Sequence, residues 1–175
     1  MPLYAKDDWT ISTSLEAPYF DSVFAPGLTI KADVLLFDWN LETDPKPDGY
    51  GISLEGGTLF PIRKEFSGVS PFFRLGLLGR KDFTARIALD FKSHIFYVLI
   101  GRDMPGNGLK PRTRRYFQNT GIDVETVFVY RLPHQMEFHT GITLGMLFPL
   151  KSRKGKGEPP KFTASFSIGI GYNIQ

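Results

Sequence analysis

Apolar residues alternate with small or polar ones at every second position through nearly all long segments of this chain, most cleanly at its C-terminus. There Phe162, Ala164, Phe166, Ile168, Ile170, Tyr172 and Ile174 share one face of an extended segment, with Thr163, Ser165, Ser167, Gly169, Gly171 and Asn173 on the other. Successive side chains of a strand point to opposite faces, whereas a helix needs a spacing near 3.6, which no segment keeps convincingly. The preceding segment repeats the pattern, with Met136, Phe138, Thr140, Ile142, Leu144, Met146 and Phe148 set against Gln135, Glu137, His139, Gly141, Thr143 and Gly145. The chain therefore reads as all-β.

The same period predicts further strands over 9–16, 28–39, 50–60, 72–79, 83–91, 95–102, 110–118 and 122–132. Turn chemistry separates them at 43–49, at 79–82, at 104–108 and at Leu132-Pro133-His134, and Ser93-His94 reads as one more tight turn. Connections this short join antiparallel neighbours. Without a break in composition, 175 residues suit a single domain spanning 1–175. The expected fold is a closed, antiparallel, up-and-down β-barrel of eight to ten strands.

Composition removes several classes of function. With no Cys there is no disulfide staple, thiolate metal site or Cys nucleophile. The longest apolar run, Ile95 to Ile100, covers six residues, far short of the roughly 18–20 of a membrane-spanning helix. No basic and apolar leader follows Met1-Pro2-Leu3-Tyr4, so an exported protein would have shed its signal. Lys151, Arg153, Lys154 and Lys156 crowd one Gly- and Pro-containing stretch, which reads as a solvated loop with anionic lipid headgroups as its alternative contact. No basic helix or motif accompanies it, so nucleic acid is not expected as a partner.

Alternation alone leaves the direction of the apolar face open, because a soluble lipocalin-like binder of an apolar ligand keeps the same period with that face inward. The polar face decides in favour of lipid outside. Small uncharged residues dominate it in the last strand, as a crowded lumen of about eight strands requires. Longer residues on polar positions carry both signs: Lys31, Asp33, Glu55, Arg74, Arg86, Asp90, Asp123, Glu125, Arg131 and Glu137, four cations against six anions. In a lumen of low dielectric they must pair or stay hydrated, giving a salt-bridged plug or a narrow wet channel. Aromatics add a dimension: Tyr50 and Phe60, Phe138 and Phe148, and Phe162 and Tyr172 are each ten residues apart on one face. Ten residues at about 3.3 Å, tilted near 40°, rise about 25 Å, the height of an outer-membrane apolar band. Aromatics at both rims would form interfacial girdles.

With these residues in place, the chain resembles the small outer-membrane β-barrel proteins of Gram-negative bacteria, the OmpA- and OmpX-like class, over almost its whole length. The likeness is strongest in Phe166-Ser167-Ile168-Gly169-Ile170-Gly171-Tyr172-Asn173-Ile174, which looks like the terminal strand read by the barrel-assembly machinery, although members usually finish on an aromatic residue and this chain ends Ile174-Gln175. The resemblance implies a transmembrane barrel in the bacterial outer membrane, with membrane lipid, lipopolysaccharide and proteins at the loops as candidate partners.

Function follows in three versions. The first is a structural, adhesive or scaffold barrel, or a narrow porin-like pore; the second is a barrel enzyme acting on lipid A or phospholipid; the third is the soluble binder. For the second, His139 with Glu137 on its face is the weak candidate for a general base, without a Ser at the spacing that lipid A deacylase barrels show; a hydrogen-bonded lumen residue is the plainer reading. Ser93, His94 and His134 read as solvated turn residues. The His residues lack the spacing to carboxylates that defines a metal site, so no metal or cofactor is expected. The stretch 101–108 lacks the Lys-Ser/Thr ending of a phosphate loop and reads as a turn.

Overall fold

A computed structural model describes residues 8–20, 23–38, 49–62, 68–104, 113–150 and 159–174. The strands are β1 (Asp8–Phe20), β2 (Val23–Phe24), β3 (Gly27–Asp38), β4 (Gly49–Leu59), β5 (Ser70–Asp82), β6 (Ile87–Met104), β7 (Thr113–Arg131), β8 (Met136–Pro149) and β9 (Lys161–Ile174). Each long strand pairs antiparallel with the next, and β1 also pairs with β9, from Trp9 opposite Ile174 to Phe20 opposite Thr163. The sheet thereby closes into an up-and-down barrel of eight long strands, with the two-residue β2 folding back on the end of β1. Closure removes the exposed strand edges that would otherwise recruit other chains.

The number of strands falls below ten because two pairs of expected strands are each continuous. Lys92, Ser93 and His94 lie mid-strand in β6, paired with Glu125, Val124 and Asp123. The segments expected at 83–91 and 95–102 are thus one strand beginning at Ile87, and those at 110–118 and 122–132 are one strand, β7. Lys92 and His94 point into the lumen, which accepts polar side chains, while Ser93 stays on the outer row. Likewise β5 runs on through 79–82, and its hairpin to β6 is made by 83–86. There Thr84 Oγ1 accepts hydrogen bonds from the backbone N–H groups of Arg86 and Ile87. The Leu132-Pro133-His134 turn forms, with His134 and Gln135 both at positive φ. The expected turns at 43–49 and 104–108 and the basic stretch 151–156 fall wholly or mostly outside the described residues.

The direction of the wall is unambiguous. Leu144, Phe166, Ile168 and Ile170 are 46%, 51%, 42% and 55% exposed, whereas Glu137 and Ser167 are 1% and 4% exposed. Apolar rows clothe the outside and polar rows fill the inside. That inverts the soluble lipocalin-like alternative, which needs those apolar rows around an internal ligand. Inside, a layer including Leu59, Phe72, Phe96, Val98, Ile100 and Leu147 occupies one end of the barrel. A smaller cluster of Ala88, Val127 and Val129 lies toward the other end, where the 83–86 and 132–135 turns are. Buried charge fills the space between.

Candidate functional site

The lumen holds two linked groups of ions, built from inward positions both of neighbouring strands and of strands that face each other across the barrel. In the first, Arg74 on β5 donates through Nη1 to both oxygens of Glu16 on β1, at 2.9 Å each, and to Glu55 Oε2 on β4 at 3.1 Å. Its Nε stands 3.1 Å from Asp123 Oδ2 on β7. Lys31 on β3 donates across the barrel to Glu125 Oε1 at 2.7 Å and lies 3.3 Å from Glu55 Oε1. Lys92 on β6 donates to both oxygens of Asp33, at 3.0 and 2.8 Å. Phe72, in the apolar layer, places its ring 4.8 Å below the Arg74 guanidinium carbon.

The second group lies toward the short-turn end. Arg80 forms a fork with Asp90, Nε to Oδ1 at 2.7 Å and Nη2 to Oδ2 at 2.8 Å. Parallel bonds of this kind are the strong geometry for Arg and carboxylate. Arg131, half-buried at the rim, donates to Asp82 Oδ1 at 2.7 Å and sits 3.5 Å from Glu137 Oε1. His139 Nε2 lies 3.1 Å from Glu137 Oε2.

Of the ten charges read from sequence as lumenal, Lys31, Asp33, Glu55, Arg74, Asp90, Asp123, Glu125 and Glu137 are buried inside the wall, and Arg131 is at its rim. Arg86 is a correction: it is exposed in the 83–86 turn, because the strand expected from 83 starts at Ile87. Five buried ionisable residues were missed: Glu16, Arg80, Asp82, Lys92 and His94. Their signal was positional parity. Arg80 and Asp82 continue the inward even-numbered row of Phe72 and Arg74, and Lys92 and His94 continue that of Asp90. His94, read as a turn residue, instead donates Nδ1–H to Asp123 Oδ1 at 2.8 Å.

The pair considered for catalysis, His139 and Glu137, does come together, but inside the wall, at 6% and 1% exposure, where a bilayer lipid does not reach. Tyr50, Phe60, Phe162 and Tyr172 are exposed on the outer face, and Phe138 and Phe148, on the outward-facing row of β8, are half-buried. The lumen retains an interior cavity of about 40 Å³, between the apolar layer and Arg74 and Asp123.

The fold is that of the small bacterial outer-membrane β-barrels. Neisserial surface protein A superposes with a TM-score of 0.63 at 10% identity, over 95% of this chain and 96% of that one. Ail, the attachment invasion locus protein of Yersinia pestis, solved with the heparin analogue sucrose octasulfate, gives 0.58 at 9%, over 97% and 99%. The N-terminal barrel domain of Pseudomonas aeruginosa OprF gives 0.58 at 12%, over 98% and 100%. Likeness at such identities concerns the fold. No protein-family model and no curated protein matches the sequence.

Proposed function

We propose that the protein is an integral outer-membrane barrel that serves as a non-conducting anchor and scaffold, with its short 83–86 and 132–135 turns toward the periplasm and the opposite end toward the exterior. Short periplasmic turns are the rule in such barrels. The observation that carries the reading is the filled lumen. Buried ion pairs span the middle, an apolar layer covers one end, and the cavity between that layer and Arg74 measures about 40 Å³, while a wider pocket of about 520 Å³ lies at the short-turn mouth beside Arg131 and Glu137. The outer face needs lipid, because apolar surface of this extent leaves a protein aggregating in water.

The narrow-pore alternative gains no support from this packing. The lipid-modifying alternative needs a base reachable from the bilayer, and His139 points away from it. Membrane lipid is the partner the outer rows support, with lipopolysaccharide and proteins at the exposed connections as further candidates. The test is conductance: refolded protein inserted into a planar bilayer gives no steps above the ionic leak, whereas steady unitary steps would restore the pore reading.

A further inference from the structure

We infer that Glu55, His94 and Glu125 form a binding site for one divalent transition-metal cation of the zinc type, buried at the centre of the barrel. One ligating atom from each lies within 4.8 Å of the others, and all three side chains point inward and are buried. They come from β4, β6 and β7, so the site exists only once the barrel has closed.

The argument starts from the imidazole. His94 donates Nδ1–H to Asp123 Oδ1, which leaves Nε2 in the neutral ring as a bare acceptor. That nitrogen stands 3.6 Å from Glu55 Oε1. Among the described residues, His94 Nε2, Glu55 Oε1 and Glu125 Oε2 have no hydrogen-bond partner. Lys31 and Lys92 stand beside Glu55 Oε1, at 3.3 and 3.6 Å, but no described group partners His94 Nε2. Ligands about 2.0–2.2 Å from a zinc-type ion and about 110–120° apart stand about 3.3–3.8 Å from one another, which the 3.6 Å separation fits. A carboxylate on the far nitrogen of a ligating imidazole is also the usual outer support of such a ligand.

Charge points the same way. Around the centre Glu16, Asp33, Glu55, Asp123 and Glu125 face Lys31, Arg74 and Lys92, five anions against three cations, an excess of two negative charges. A divalent ion cancels that excess. Lys31 and Lys92 stand 3.3 and 3.6 Å from Glu55 Oε1, but their shortest contacts are to Glu125 Oε1 at 2.7 Å and Asp33 Oδ2 at 2.8 Å, and neither donates a hydrogen bond to that Glu55 oxygen. One imidazole nitrogen and two carboxylate oxygens, without thiolate, suit zinc, manganese, iron or cobalt in the divalent state. Because the lumen is packed, the ion enters during folding and leaves slowly.

The full chain is refolded into detergent micelles with Co²⁺, treated with EDTA to strip exposed ions, and its metal content and visible spectrum are measured. About one Co²⁺ per chain is expected to survive, with the visible bands of a low-coordinate site, while His94→Gln and Glu125→Gln keep less than about a tenth and His134→Asn keeps the full amount. Folding of each variant is read from its unboiled gel mobility; if His94→Gln does not fold, Glu125→Gln carries the comparison. Wild-type protein keeping less than about a tenth overturns the site, and so does retention in either folded lumen variant equal to wild type.

Discussion

Lys31 Nζ and Glu125 Oε1 meet at 2.7 Å inside the barrel although 94 residues separate them in the chain. Neither side chain is more than 4% exposed, and Glu125 also accepts from Ser167 Oγ at 3.4 Å. The bond ties β3 to β7 across the lumen, a link that no backbone pairing supplies. Removing one partner leaves the other charge buried, which costs far more than the pair itself contributes. Lys31→Met is therefore expected to lower the unfolding free energy by about 3–5 kcal/mol, read by urea unfolding in bilayers, with Lys31→Met/Glu125→Met recovering a large part. A loss below about 1 kcal/mol would place the pair in water.

Arg80 and Arg86 differ by six positions and by which side of the hairpin they occupy. Arg80→Ala strands Asp90 without its forked partner and is expected to cost about 3–5 kcal/mol. Arg86→Ala, in the exposed turn, is expected to stay within about 0.5 kcal/mol of wild type. Paired unfolding curves decide it; equal costs would mean that Arg86 reaches the lumen.

The outer rows carry a depth-dependent penalty for charge. Ile168 lies mid-strand in β9 and Ile174 at its end, both exposed on the outer face. Ile168→Arg is expected to cost about 2–4 kcal/mol and Ile174→Arg about 0–1 kcal/mol, measured by reversible unfolding from lipid vesicles. Equal penalties would contradict a bilayer centred on the barrel wall.

Gly121 on β7 sits under the Phe96 ring, and a Cβ there would collide with that ring and with the Met146 carbonyl oxygen. Gly121→Ala is expected to cost about 1–3 kcal/mol, as overpacking does. Phe96→Ala in the same chain relieves only the ring's share, so the double variant should remain less stable than Phe96→Ala alone.

The direction and closure of this barrel were legible because one physical rule, period two, runs through each strand. Polarity, by contrast, is a poor turn signal in a wall whose inner face is polar. In β6 the outward odd-numbered row continues from Phe91 through Ser93 to Ile95 without a change of phase, which a two-residue hairpin at Ser93-His94 would have reset. The same continuity carries β7 from Tyr116 through Gln118 to Ile122. The partners inside the lumen were a different matter. Lys31 with Glu125, and Glu16 with Arg74, lie on strands that do not pair, and their meeting depends on barrel stagger and side-chain reach, which no local pattern encodes.

The side of the wall that meets lipid is read most directly by solvent access along β9. The chain has no Cys, so single cysteines at positions 165 to 170 can each carry a spin label in reconstituted vesicles. Labels at Phe166, Ile168 and Ile170 should be relaxed by oxygen dissolved in the bilayer and shielded from an aqueous nickel chelate, while labels at Ser165 and Ser167 should be poorly reached by either. Strong relaxation by the nickel chelate at 166, 168 and 170 would contradict the account.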